Sequence, residues 1–127
     1  MKCGLKKKVT LPFAQSIANI KKELSNEGFL VLTEFNMRAI LKDALGVEFE
    51  SYILLGVLNP AFTHRILISQ KEAGIFLPIQ IAIYEEFGEI WVCSELASDS
   101  MGGAENPQLA DIAAEMDISI GRAMERV

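Results

Sequence analysis

The stretch GFLVLTEFNMRAILKDALGVEFESYILLGVLNPAFTHRIL, residues 28–67, decides most of the fold. Gly28 suits the position just past a helix, where the backbone turns left-handed. Residues 29–35 read as a strand, with aromatic and β-branched residues near its ends. Asn36 is a good N-cap, because its side chain can accept from the free N–H groups of a first helical turn. Met37, Ile40, Leu41, Ala44 and Leu45 then form an apolar helical stripe that Gly46 ends. The run 52–58 is almost continuously apolar, which suits a central strand covered on both faces. Asn59-Pro60 repeats the capping logic, with proline at the first helical position. Phe62 and Ile66 continue on the buried side of a short helix over 60–70.

Outward from this block, residues 5–10 form a short strand with a basic exposed side, and Pro12 sits in the first turn of a helix. Phe13, Ile17, Ile20 and Leu24 share one face of that helix. Toward the other end Gly74 breaks the third helix. Ile79, Ile81 and Ile83 alternate with Gln80, Ala82 and Tyr84, which predicts a strand. A turn at Gly88 returns the chain along 89–95. Residues 97–105, rich in serine and glycine, read as the one long loop. Asn106-Pro107 opens a last helix with Leu109, Ile112, Ala113, Met116 and Ile120 as its stripe. The predicted order is β-α-β-α-β-α-β-β-α, a single α+β domain over 1–127.

At 127 residues, half of them hydrophobic, the chain can build a core without metal or disulfide staples. Mean hydropathy is +0.26, yet no apolar run approaches the roughly 20 residues of a spanning helix. The four lysines Lys2, Lys6, Lys7 and Lys8 precede no apolar leader segment. A cytoplasmic location is therefore expected. Cys3 and Cys93, with no CxxC spacing, read as two separate reduced thiols. Cys93 has no basic neighbour in sequence and reads as core. No Lys or Arg lies between Lys71 and Arg122, while carboxylates accumulate there. That half would repel a polyanion, so no nucleic-acid partner is expected.

The same block resembles the family catalogued as domain of unknown function 302. Its text here is Gly28-Phe29, Val31-Leu32-Thr33-Glu34, Leu41-Lys42, Leu45-Gly46, Tyr52, Leu54-Leu55-Gly56 and Asn59-Pro60. Gly74 with Leu77-Pro78, Tyr84-Glu85, and Asn106-Pro107 with Leu109 continue the likeness. The resemblance implies a fold related to the TATA-binding-protein architecture, with a curved, mainly antiparallel sheet, helices packed on one face and a tendency to dimerise. It implies no reaction. Members of the family typically carry one cysteine just before the Asn-Pro step and another just after the Leu-Pro step. Those positions are Leu58 and Ile79 here, so thiol or metal chemistry at that pair would be lost.

The candidate ligand-binding residues are Asn59, His64, Glu34 and Lys42. His64, the only histidine, is a possible base or ligand, against a plain surface histidine. It has no partner at metal-ligand spacing, so no metal is assigned. Asn59 could hold helix amides open for an anion or simply cap. Glu34 and Lys42 could be a buried pair, or surface residues flanking a strand end and a helix stripe. No P-loop, GxGxxG, HExxH or GxSxG pattern is present. Catalytic residues are unassigned, enzyme status is open and no cofactor is expected. The leading expectation is a non-catalytic homodimer that binds a small molecule or a partner protein, with no membrane association. The alternative is a thiol- or metal-dependent enzyme or redox sensor. Leu58 and Ile79 are expected to face each other at one sheet edge, with Asn59, His64 and residues 98–103 gathered there as a pocket.

Overall fold

A computed structural model describes residues 3–103 and 105–127. Five strands form one antiparallel sheet: β1 (Leu5–Val9), β2 (Leu30–Asn36), β3 (Tyr52–Leu58), β4 (Ile79–Glu86) and β5 (Glu89–Ser94). Their spatial order is β1-β5-β4-β3-β2. The principal helices are α1 (Phe13–Asn26), α2 (Met37–Leu45), α3 (Pro60–Ser69) and α5 (Pro107–Glu125), with a short α4 (Ala97–Met101) before the last. The element order read from the sequence is the observed one, with two additions.

The first addition is a 3₁₀ segment, Lys71–Phe76, where a simple break at Gly74 was expected. The second is α4, which occupies the expected loop. Its free N–H groups are satisfied from far away: Asp117 Oδ1 accepts from Ala97 N–H at 2.6 Å and Oδ2 from Ser98 N–H at 3.3 Å. A cap supplied by a distant residue leaves no local signal. The other ends follow the sequence. Asn36, Asn59 and Asn106 each cap a helix through a side-chain oxygen, while Gly28 and Gly46 adopt φ of 88° and 68°.

Period-two alternation assigns the faces. Ile53, Leu55, Val57, Ile79, Ile81, Ile83 and Val92 point inward and are buried. Ile20 and Leu24 of α1, with Ile112, Met116 and Ile120 of α5, complete that layer. Each such side chain contributes about 1.5–3 kcal/mol on burial, which makes this layer the main source of stability. Lys7 also turns inward from β1, and its ammonium donates to the carbonyls of Met124, Glu125 and Val127 at 2.9–3.1 Å. Those are free acceptors at the end of α5, where a cation is favoured. The opposite sheet face carries Lys6, Lys8, Tyr52, Leu54, Tyr84, Trp91 and Cys93, all exposed or half-buried. The expectation that 52–58 is covered on both faces therefore fails: β3 is dry on one side only.

Candidate functional site

The open sheet face carries the chemistry. Lys6 on β1 is the direct cross-strand partner of Cys93 on β5, and Cys93 in turn faces Ala82 on β4. One step along, Trp91 faces Tyr84 and Tyr84 faces Tyr52. The two tyrosine rings stack with centroids 5.5 Å apart. The Lys6 ammonium lies 4.6 Å from the Trp91 ring centroid and 6.0 Å from that of Tyr84, a placement favoured by the negative faces of the rings. Burial pushes the Tyr52 hydroxyl above its usual range, and neighbouring Tyr84 adds to it.

Cys3 reaches this face from the segment before β1. Its sulfur is bonded to that of Cys93, with Cα atoms 6.1 Å apart, inside the range a disulfide spans. Gly4 makes the approach possible, since a Cβ there would lie 2.6 Å from Leu96 Cγ and 2.9 Å from the Ser94 carbonyl. The reading of Cys3 and Cys93 as separate thiols is thus corrected. Sequence offers no cue, because the contact depends on β1 joining the sheet beside the last strand. Lys6, the cross-strand partner of Cys93, is a basic neighbour that sequence does not reveal, with its ammonium over the Trp91 ring. Beside the pair lies a hollow of about 410 Å³, lined by Cys3, Lys6, Phe49, Tyr52 and Cys93 and edged by Glu50, Glu85 and Glu86.

The residues singled out from sequence lie elsewhere and do not converge. Asn59 is 6% exposed, and its side chain is committed to the scaffold. Its Oδ1 accepts from Ala61 and Phe62 N–H at 3.0 and 3.3 Å, and its Nδ2 donates to the Glu27 carbonyl at 3.1 Å. His64 projects from the exposed side of α3. Glu34 pairs with Lys21 of α1, and Lys42 pairs with Glu48 at 3.3 Å. Glu34 and Lys42 are therefore no buried pair; both are surface groups with partners of their own. Among the described residues, no group of three His, Cys, Asp or Glu is placed to hold a metal.

The Leu58–Ile79 pairing is also corrected. The strands are antiparallel as expected, but the register sets Ile79 opposite Val57 and Leu58 opposite Leu30 of β2. Neighbouring residues of a strand point to opposite faces, so Ile79 faces the core and Leu58 the other side. Residues 98–103 border a different cleft of about 330 Å³, formed with Ile75, Phe76, Asn106 and Leu109. Neither Asn59, His64, Leu58 nor Ile79 lines it. The shift of one residue removes the reason to place a pocket at that pair.

A junction that sequence reasoning missed is Glu27. Its carboxylate accepts from Ser119 Oγ at 2.8 Å, Arg122 at 3.0 and 3.1 Å and Arg126 at 3.0 Å. The Arg122 hydrogen bond and then that of Ser119 hold its carboxyl down at about 2. Glu27 ties the end of α1 to α5 and, through its carbonyl, to Asn59. Its role is in the scaffold.

A solved structure of similar shape is the crystal structure of an uncharacterized conserved DUF302 protein from Bacillus stearothermophilus. It is 26% identical, with a TM-score of 0.89 over 96% of this chain and 95% of that one. No curated protein matches the chain. The model of the family described as Domain of unknown function DUF302 matches residues 5–127. With that match running over almost its whole length, the chain belongs to that family.

Proposed function

We propose that the chain is a non-catalytic domain that works as a homodimer and binds a small ligand or a partner, with β2 and α2 forming the contact between copies. The observation that carries this reading is α2, a helix with a regular apolar stripe and no buried residue. Leu45 is 69% exposed, and the patch runs on through Phe35 at 45% and Phe49 at 50%. Contiguous apolar surface of this kind marks an interaction site. β2 is also an edge strand whose outer backbone groups are free to pair. A second copy fits this patch because α2 and its following turn carry both signs, Arg38 and Lys42 beside Asp43 and Glu48. A two-fold axis sets such a helix against itself with opposite charges opposed.

The hollow on the open face is the ligand site in this reading. Nucleic acid stands outside it, because Glu50, Glu85, Glu86 and Glu89 share that side with Lys6 and Lys8 and would repel phosphates. Light scattering at tens of micromolar should report a dimer, and the double variant Phe35→Glu, Leu45→Glu a folded monomer with unchanged circular dichroism. A monomeric mass for the unaltered chain would end the proposal. Native mass spectrometry of protein purified without additives tests in one spectrum whether a ligand is retained.

A further inference from the structure

We infer that Cys3 and Cys93 form a thiol–disulfide exchange site for low-molecular-weight disulfides, uncharged or cationic rather than anionic. This inference does not rest on dimerisation, although Phe49 belongs both to the hollow beside Cys93 and to the apolar patch. Three observations carry it. The two sulfurs, far apart in sequence, meet on the sheet face opposite α1 and α5, and both residues are half-buried and so reachable. The Lys6 side chain stands directly across from Cys93 on that face, and a neighbouring cation stabilises the thiolate, which is the nucleophilic form. The adjoining hollow of about 410 Å³ has room for a small disulfide against Cys93.

The reduced state also has a place in the fold. The Cys3 sulfur lies 3.1 Å from the Leu5 carbonyl and 3.6 Å from that of Ser94, so a Cys3 thiol that swings clear of Cys93 has acceptors close by. The exchange then runs in two balanced steps. The Cys93 thiolate attacks one sulfur of a disulfide RSSR, forming Cys93–S–S–R and releasing RS⁻. Deprotonated Cys3 attacks the Cys93 sulfur, closing the Cys3–Cys93 bond and releasing a second RS⁻. The two protons given up by the protein thiols leave with the two RSH. The protein pair is oxidised and RSSR reduced by the same two electrons, and excess RSH reverses the process. Glu50, Glu85 and Glu86 at the rim of the hollow favour a cationic or neutral RSSR over an anionic one.

The test uses the full chain, reduced and desalted, with cystamine as the cationic probe and glutathione disulfide as the anionic one. Exchange is quenched by alkylation and followed by intact mass. Cystamine should convert the native protein to the closed disulfide faster than glutathione disulfide at low salt, and excess cysteamine should reopen it without denaturant. Cys3→Ser should stop at a single adduct on Cys93. Lys6→Ala should slow adduct formation about threefold to tenfold, and Lys6→Arg should restore the rate. Native thiols inert to both probes, or a disulfide reducible only in denaturant, would show a purely structural bridge and overturn the inference. Cys93→Ser forming an adduct at Cys3 as fast as Cys3→Ser forms one at Cys93 would overturn the assigned order of attack. Repeating the assay on the Phe35→Glu, Leu45→Glu monomer separates failure of the dimer reading from failure of this one.

Discussion

The two sides of the sheet are built to different standards. On the helix side Leu55, Val57, Ile79, Ile81, Ile83 and Val92 have no exposed surface at all, and α1 and α5 seal them. On the other side, and out along β2 and α2, aromatic and aliphatic side chains stand half in water. The helix side has what it needs within one chain. The open side leaves exposed the apolar patch at α2 and the hollow beside Cys93, the two places where the proposed second copy and small molecule would bind.

The sharpest way to break this contrast is one truncation on each side. Ile81→Ala should destabilise the chain by about 2–5 kcal/mol, because a sealed layer cannot collapse into the void. Leu45→Ala should cost the monomer less than about 0.5 kcal/mol, since it removes nothing buried. Denaturant melts read both, each in a Phe35→Glu background that weakens the proposed interface and leaves Leu45 in place. Equal losses would mean that α2 belongs to the fold as much as α1 does.

Glu27 sharpens the contrast by charge. Its side chain is 11% exposed against Arg122 and Arg126 at about half, so it is the interior member of the clasp. Glu27→Gln should cost about 1.5–3 kcal/mol at neutral pH, as expected for hydrogen bonds to a charged group. The folded carboxyl ionises at about 2 against an ordinary 4.5. Its contribution is thus nearly complete about one unit above 4.5, fades as pH falls through that range, and is mostly lost near 2, where the folded carboxyl is half protonated. The stability gap between the unaltered chain and Glu27→Gln should therefore close over that window in acid melts. A gap that persists at pH 2 would assign the loss to packing.

What the sequence made legible, and what it hid, divides along the same line. Inward-facing residues announce themselves, because the alternation of Ile79, Ile81 and Ile83 and the stripe of α5 are local patterns. Helix starts were equally plain at Asn36, Asn59 and Asn106, where cap and capped amide lie within three residues. The features that failed to show were all long-range. Asp117 capping α4, Glu27 gathering α5 and Cys3 meeting Cys93 each need the strand order and helix packing before they exist. Leu58 and Ile79 failed for a finer reason: antiparallel pairing was right, but register was one residue away, and a single step turns a side chain to the other face. The candidate site was thus hidden even though every residue in it was in plain view.

The smallest expected effect lies at the hairpin tip between β4 and β5. Phe87 and Gly88 form its two-residue turn with φ of 52° and 76°, the primed geometry that suits the twist of a hairpin. Glycine adopts that conformation freely, but phenylalanine does so against the clash of its Cβ with the backbone, while asparagine tolerates it. Phe87 is also 92% exposed, so its ring gains nothing from the fold in return. Phe87→Asn should therefore raise stability by about 0.5–1 kcal/mol, the part of the left-handed cost that asparagine relieves. Thermal melts of the variant in the monomeric background would read the gain directly. The same variant in the unaltered background asks more. If the dimer mass persists, the tip lies outside the interface and the open side divides into a dimer patch at α2 and a free aromatic tip. If the dimer loosens while the monomer gains stability, Phe87 is held in its costly conformation by the partner copy, and the interface reaches across the open face from α2 to the hairpin.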